Sequence, residues 1–309
     1  MRRWLTSIGV LFICFPVQAQ PPTPEQKQAT VTWLKALQKE NGGFASDEGK
    51  DATVAATSAA VRALRYFGGS VPNPTACEKF LAGRHDPLGG YRIITTASSR
   101  ENRQIVTAQG IIALSELRKA PDANLADLEF LADYAEAPDE IRMAAAAFEA
   151  VYGGTVKFPV FDKWLAKIVK HRNADGTFGA GDSQAIDTAG GVITTLRLGG
   201  QIENKDAIVQ VLKDAQRPDG GWGEPGAEGS DLAITYRIMR ALAMLKAKPD
   251  VQACQKFVAS CRSDNGSYKL RAVSSSTQEG RGARSPSNVD AVTSTYFAVA
   301  INHWLEAMK

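Results

Sequence analysis

Between residues 24 and 308 two kinds of segment alternate, both with the three- and four-residue apolar spacing of an α-helix. In the first kind, apolar residues keep to one face and Lys, Glu and Asp fill the rest, as with Trp33, Leu34 and Leu37, or Leu165, Ile168 and Val169. That is a helix buried on one side and solvated on the other. It predicts helices over 24–38, 75–83, 124–135, 160–171, 205–215 and 250–260. The second kind, over 53–67, 105–117, 140–152, 187–198, 231–245 and 289–308, is rich in Ala, Gly, Thr and Ser and nearly free of Lys. Small residues on nearly every side let helices approach closely, which suits an inner ring flanked on both sides. Alternating strand patterns are essentially missing, so the fold class is all-α. Six outer and six inner helices predict a closed (α/α)6 toroid of six helical hairpins, a single domain over 20–309. The alternative, an open superhelix, calls for polar capping repeats at its ends. The last segment, "YFAVAINHWLEAM", is not polar, which favours closure.

A short motif marks the joint between the two kinds of helix. "QKENGGF" (38–44), "HDPLGGY" (85–91), "RNADGTF" (172–178), "QRPDGGW" (216–222) and "RSDNGSY" (262–268) share a polar residue, a glycine and a closing aromatic. The aromatics Phe44, Tyr91, Phe178, Trp222 and Tyr268 follow a period of roughly 45 residues, the mark of an array of supersecondary units. One copy is missing, near Tyr134. The glycines stop a helix and turn the chain, and the aromatic anchors the return segment. The leading Gln, His or Arg is left to bond loop carbonyls. The motif therefore reads as structural.

The first residues, "MRRWLTSIGVLFICFPVQAQ", run from two arginines through an apolar stretch to a small residue at Ala19. This is the order of a secretory signal over 1–19, too short to span a bilayer, and implies an exported protein, periplasmic or secreted, without a transmembrane anchor once the signal is cleaved. The net charge is +3 over 309 residues, and nearly neutral once Arg2 and Arg3 leave with the signal, so nothing points to nucleic acid. Of the remaining cysteines, Cys254 and Cys261 lie about 10 Å apart along one helix, too far to bridge unless the helix ends between them. Buried free thiols, with Cys77, are expected. The three histidines, His85, His171 and His303, are not at metal spacing.

"QRPDGGW" and "QKENGGF" resemble the QxxxGxW repeats of squalene–hopene cyclases and the glycine-aromatic turns of protein prenyltransferase β subunits. The resemblance implies an α/α toroid that binds an isoprenoid in the funnel lined by its inner helices. "SDLAITYRI" and "NVDAVTSTYF" resemble the stretches that supply zinc ligands in the geranylgeranyl- and farnesyltransferase β subunits. Asp231, Asp290 and Tyr296 match, but Ala233 and Thr293 stand at the cysteine and histidine ligand positions. Zinc is therefore not expected, since catalytic zinc uses three protein ligands. The place of a diphosphate-gripping arginine holds Ala189. The DxDD and DDxxD motifs of terpene cyclases, the GCGEQ thioester motif and GxSxG are absent.

Asp51, Asp139, Asp187, Asp231 and Asp290 fall at or before the starts of inner helices. They are expected to cap free N–H groups, or as a ring of carboxylates to face the cavity. Asp187, Asp231, Tyr236, Asp290 and Tyr296 are the candidates for the cavity mouth; no catalytic residue is assigned. The loop 272–288, with Arg281 and Arg284 and preceded by Arg271, reads as an insertion or a lid over an anionic ligand, and 95–104 as a shorter loop of the same kind. The expected function is binding of an isoprenoid or other apolar molecule, or of a protein partner at the rim. The alternatives are a geranylgeranyltransferase β-like subunit with altered metal dependence and an (α/α)6 carbohydrate-active enzyme.

Overall fold

The computed structural model describes residues 20–92, 102–118, 125–154, 156–272 and 289–308. Among them lie twelve α-helices and one two-residue antiparallel hairpin, Phe44–Ala45 with Ala52–Thr53. The outer helices are α1 (Pro24–Ala36), α3 (Pro74–Ala82), α5 (Leu125–Tyr134), α7 (Pro159–Val169), α9 (Lys205–Asp214) and α11 (Val251–Ser260). The inner helices, in between, are α2 (Val54–Tyr66), α4 (Arg103–Arg118), α6 (Pro138–Tyr152), α8 (Gln184–Arg197), α10 (Leu232–Met244) and α12 (Ala291–Ala307). Each inner helix packs against the next, and α12 packs against α2, so the ring closes. The toroid is closed, not an open superhelix.

The small residues of the inner helices sit where that packing needs them. Ala56, Ala60 and Ala63 of α2 and Ala298 and Ala300 of α12 are fully buried. Helix starts are explained locally. Proline opens α1, α3, α6 and α7, where its fixed φ fits and its missing N–H costs nothing. Thr53, Asp231 and Asp290 cap α2, α10 and α12 by accepting from Ala56, Ile234 and Thr293 N–H.

The glycine-aromatic motif does more than turn the chain. In each of its five copies the aromatic residue donates its backbone N–H to a threonine hydroxyl on the following inner helix. The pairs are Phe44 to Thr57, Tyr91 to Thr107, Phe178 to Thr188, Trp222 to Thr235 and Tyr268 to Thr295, all at 2.9–3.0 Å. The leading polar residue reaches forward to the next outer helix. Gln216 Nε2 donates to Asp250 O at 3.1 Å, and Asp250 N–H donates back to Gln216 Oε1 at 2.9 Å. Gln38 and Asn73 repeat that exchange ahead of α3. His85 Nδ1 lies 2.8 Å from Asp127 of α5, and Arg172 3.2 Å from Glu203 just ahead of α9. The last copy returns to the first helix: Thr30 of α1 donates to Gly266 O at 2.7 Å. The motif is thus the clasp between neighbouring hairpins.

Two glycines show why no larger residue serves. Gly220 has φ +94°, and a Cβ there would stand 2.0 Å from the carbonyl oxygen of Ala253 in α11. Gly266, at φ +92°, would meet the backbone of Ala29 in α1 at 2.7 Å. Both positions combine a left-handed backbone with close approach of the next outer helix.

The third hairpin lacks the motif. Ala135, Glu136 and Ala137 lead straight from α5 into α6. Tyr134 is no anchor: it is exposed and its ring lies on Phe130. Trp164 of α7 takes up the link, its indole N–H bonded to Ala135 O at 3.1 Å.

Cys77, Cys254 and Cys261 are free and buried, as expected. The proposed signal, 1–19, lies outside the described residues, as do residues 273–288 with Arg281 and Arg284, and residues 95–101. No described helix is long and apolar enough to cross a membrane.

Candidate functional site

All six inner helices line a central cavity of about 240 Å³. Four of them turn stripes of small and charged residues inward at helical spacing. Ala55, Ser58, Ala59 and Arg62 come from α2, Arg142 and Ala146 from α6, Ile193 and Arg197 from α8, and Ala233, Tyr236, Arg237 and Arg240 from α10. Tyr296 and Phe297 of α12 complete an aromatic wall.

Five guanidinium groups therefore converge here, against two carboxylates. Glu149 is shared by Arg197, at 2.9 Å, and Arg240, at 3.5 Å. Asp139 is shared by Arg142, at 3.1 Å, and Arg237, at 3.8 Å. Arg62 has no carboxylate partner among the described residues; its guanidinium lies over the Tyr296 ring, 4.3 Å from the centroid. Arg240 Nε is buried without a hydrogen-bond partner among the described residues. Arg197 is 7% exposed, so its charge is largely withdrawn from water.

The charges perturb each other. Burial lowers the pKa of Arg142, and Arg237 beside it works in the same direction against Asp139. Burial lowers Arg197 too, Arg240 adding to it against Glu149. Tyr236 and Tyr296 share a hydroxyl hydrogen bond of 2.7 Å. Burial pushes Tyr296 well above the usual phenol range. At Tyr236 burial acts the same way but is outweighed by Arg62, Arg240, Arg197 and the hydrogen bond from Tyr296, which leave it more acidic than a free phenol.

The residues singled out in the sequence fall in different places. Tyr236 and Tyr296 line the cavity, as do Ala233 and Thr293. Asp231 and Asp290 do not line it: each is a helix cap, and burial raises both their pKa values. Asp187 sits in the first turn of α8, because that helix starts three residues earlier than its polar pattern implies; Ser183 Oγ donates to its carboxylate at 2.9 Å. Asp51 is exposed ahead of α2, where Thr53 caps instead. Asp139 pairs with arginines. The five carboxylates form no ring around one ligand site.

The donor set does not fit zinc. Ala233 offers no ligand, Thr293 offers only a hydroxyl, and one oxygen of Asp231 is spent on the Ile234 N–H at 2.9 Å. Among the described residues no group of three His, Cys, Asp or Glu side chains is placed to hold a metal ion. The tryptophans that a sugar site would expose are buried, with Trp33, Trp164, Trp222 and Trp304 at 7%, 0%, 1% and 7% exposure.

A second hollow, of about 260 Å³, lies between α6, α7 and α8. It shares Arg142 and Arg237 with the central cavity, and its lining combines the apolar Ile168, Phe178, Ile186 and Gly190 with Asp139, His171, Asp187 and Thr194.

The prenyltransferase alpha-alpha toroid domain matches residues 10–184 and 159–284, which together span most of the chain. The chain belongs to this family. Comparison with curated proteins returned no match. Among solved structures, the apo type II terpene cyclase MstE from Scytonema is similar over 93% of this chain and 99% of its own, at 14% identity and a TM-score of 0.56. A variant of that cyclase in complex with its substrate, geranylgeranyl dihydroxybenzoate, covers 92% and 96% at 14% identity, with a TM-score of 0.54. A protein from Actinoplanes covers 92% and 98% at 13% identity, also with a TM-score of 0.54. At such identities the likeness is one of fold.

Proposed function

We propose that this toroid binds, in its central cavity, a ligand with an apolar, isoprenoid-like body and an anionic head, without zinc chemistry. The observation that carries this reading is the excess of guanidinium over carboxylate in the cavity. Charges withdrawn from water are costly unless compensated, and Arg62, Arg240 and their neighbours have too few partners of their own. Planar guanidinium forks match phosphate and carboxylate oxygens two at a time. The aromatic wall of Tyr236, Tyr296 and Phe297 offers a face to an unsaturated chain. A protein of the same fold, a cyclase solved with a geranylgeranyl substrate, supports an isoprenoid body. We also keep export as part of the proposal, on the strength of the N-terminal segment.

Thermal unfolding of residues 20–309 with geranylgeranyl diphosphate, in the presence of added zinc or of a chelator, tests this. A ligand at about a hundred times its Kd stabilises by about 2.7 kcal/mol, a shift of a few degrees in a domain of this size. The expected shift is the same with zinc and with chelator. A shift that chelation abolishes would overturn the metal-free reading in favour of a transferase-like subunit. No shift with any anionic isoprenoid would move the function to the rim and a protein partner.

A further inference from the structure

The missing repeat and the second hollow coincide. Five hairpins place a glycine-aromatic turn at the start of their inner helix; the third does not, and the hollow opens against Pro138 and Asp139, at the start of α6. Neighbouring inner helices touch least between α6 and α8. On the α8 side stands Gly190. A Cβ built there would meet nothing within 4 Å, whereas at Gly191, one residue on, it would strike Phe178 at 2.5 Å. Gly190 therefore leaves space that the packing of the ring does not require, and that space is the hollow.

We infer that this slot seats the apolar chain of the ligand while Arg142 and Arg237, which face both hollows, hold its anionic head. The inference rests on the binding role proposed for the central cavity, and adds where the chain lies. Neither hollow alone reaches the roughly 300–1,000 Å³ usual for a ligand pocket, and the two joined through the arginine pair do. The lining is sorted accordingly. Ile168, Phe178, Ile186 and Gly190 are apolar, Arg142 and Arg237 stand at the inner junction with Asp139 shared between them, and His171, Asp187 and Thr194 are also part of the lining. A long-chain ligand thus leaves the centre sideways, between two inner helices, through the place where the repeat lost its turn.

Gly190→Leu fills the slot from within a helix, and helix propensity favours leucine over glycine there. The affinities of wild type and variant for two probes, geranylgeranyl diphosphate and inorganic pyrophosphate, are measured by calorimetric titration, with unfolding followed by circular dichroism. The variant is expected to bind the isoprenoid diphosphate about tenfold more weakly or worse, and pyrophosphate unchanged. Gly190→Ala and Gly190→Val should fall between in order of size, which keeps the test open should the leucine variant misfold. Isoprenoid affinity that ignores the series would overturn the inference and leave the central-cavity reading standing. Equal loss of both probes would overturn it too, because leucine would then be disturbing the arginine pair. A wild type that binds neither probe would overturn the reading on which the inference rests.

Discussion

At the scale of single residues, burial decides chemistry that residue type leaves open. Cys77 and Cys261 are buried thiols whose pKa values are pushed up to about 12, and Cys254 is driven higher still. A thiol that stays protonated is a poor nucleophile. Iodoacetamide at pH 8 should therefore leave all three unmodified in the native protein and alkylate them once it is unfolded, as mass spectrometry will show. Asp219 behaves oppositely. Burial disfavours its charge, but hydrogen bonds from Ser230 Oγ and N–H and from Gly221 N–H outweigh that and hold its pKa below the usual value. Its contribution to stability is present above the unfolded-state value, near pH 4, and is lost as the pH falls through the lower folded value. Asp219→Asn should flatten the acid side of a plot of denaturation midpoint against pH, by about 1 kcal/mol or less for so exposed a group. The caps Asp231 and Asp290 were readable as caps because each falls just before a run of helical pattern. The arginines were overlooked, although a signal was present: Arg62, Arg142, Arg197, Arg237 and Arg240 are among the few charges that interrupt otherwise small-residue helices.

At the scale of elements, the clasp is where the energy of the joints is concentrated. Thr235 Oγ1 accepts from Trp222 N–H at 3.0 Å and donates to Trp222 O at 3.2 Å, inside the core. Thr235→Val keeps the shape and leaves the Trp222 N–H without a partner, while the carbonyl keeps its bond from Asp231 N–H; the expected loss is about 1–3 kcal/mol in denaturant unfolding. Gly220→Ala strains the backbone and collides with α11, so it should cost more than the threonine variant. Both helix kinds, their order and most of their limits to within a few residues were legible from periodicity, because each helix is set by its own buried face. The forward bond of Gln216 to Asp250 was not legible. It joins positions 34 residues apart whose pairing depends on how one hairpin docks on the next.

At the scale of the whole molecule, closure couples the first helix to the last. Thr30 meets Gly266 across 236 positions in sequence, and Lys27 pairs with Glu306 at 2.7 Å. A closed ring has no terminal unit to fray independently, so unfolding is expected to be a single cooperative transition. Gly266→Ala, which forces α1 away from the clasp, should lower stability by more than about 2 kcal/mol and release hydrogen-exchange protection in α1 and α11 together. Protection lost in α11 alone would show that the ring is not mechanically continuous at that seam.

Local pattern alone determined the all-α class, the number of hairpins, the period and the structural nature of the glycine-aromatic turn, since each depends on residues a few positions apart and on which face they bury. Tertiary structure alone decided three other things. It brought five arginines from four helices into one cavity, because convergence depends on the rotation of each helix about its axis. It assigned Asp231 and Asp290 to capping and Tyr236 and Tyr296 to the cavity, though all four lie near the starts of α10 and α12. It also turned the missing repeat into an open slot, because a gap in the pattern becomes space only where neighbouring helices fail to fill it.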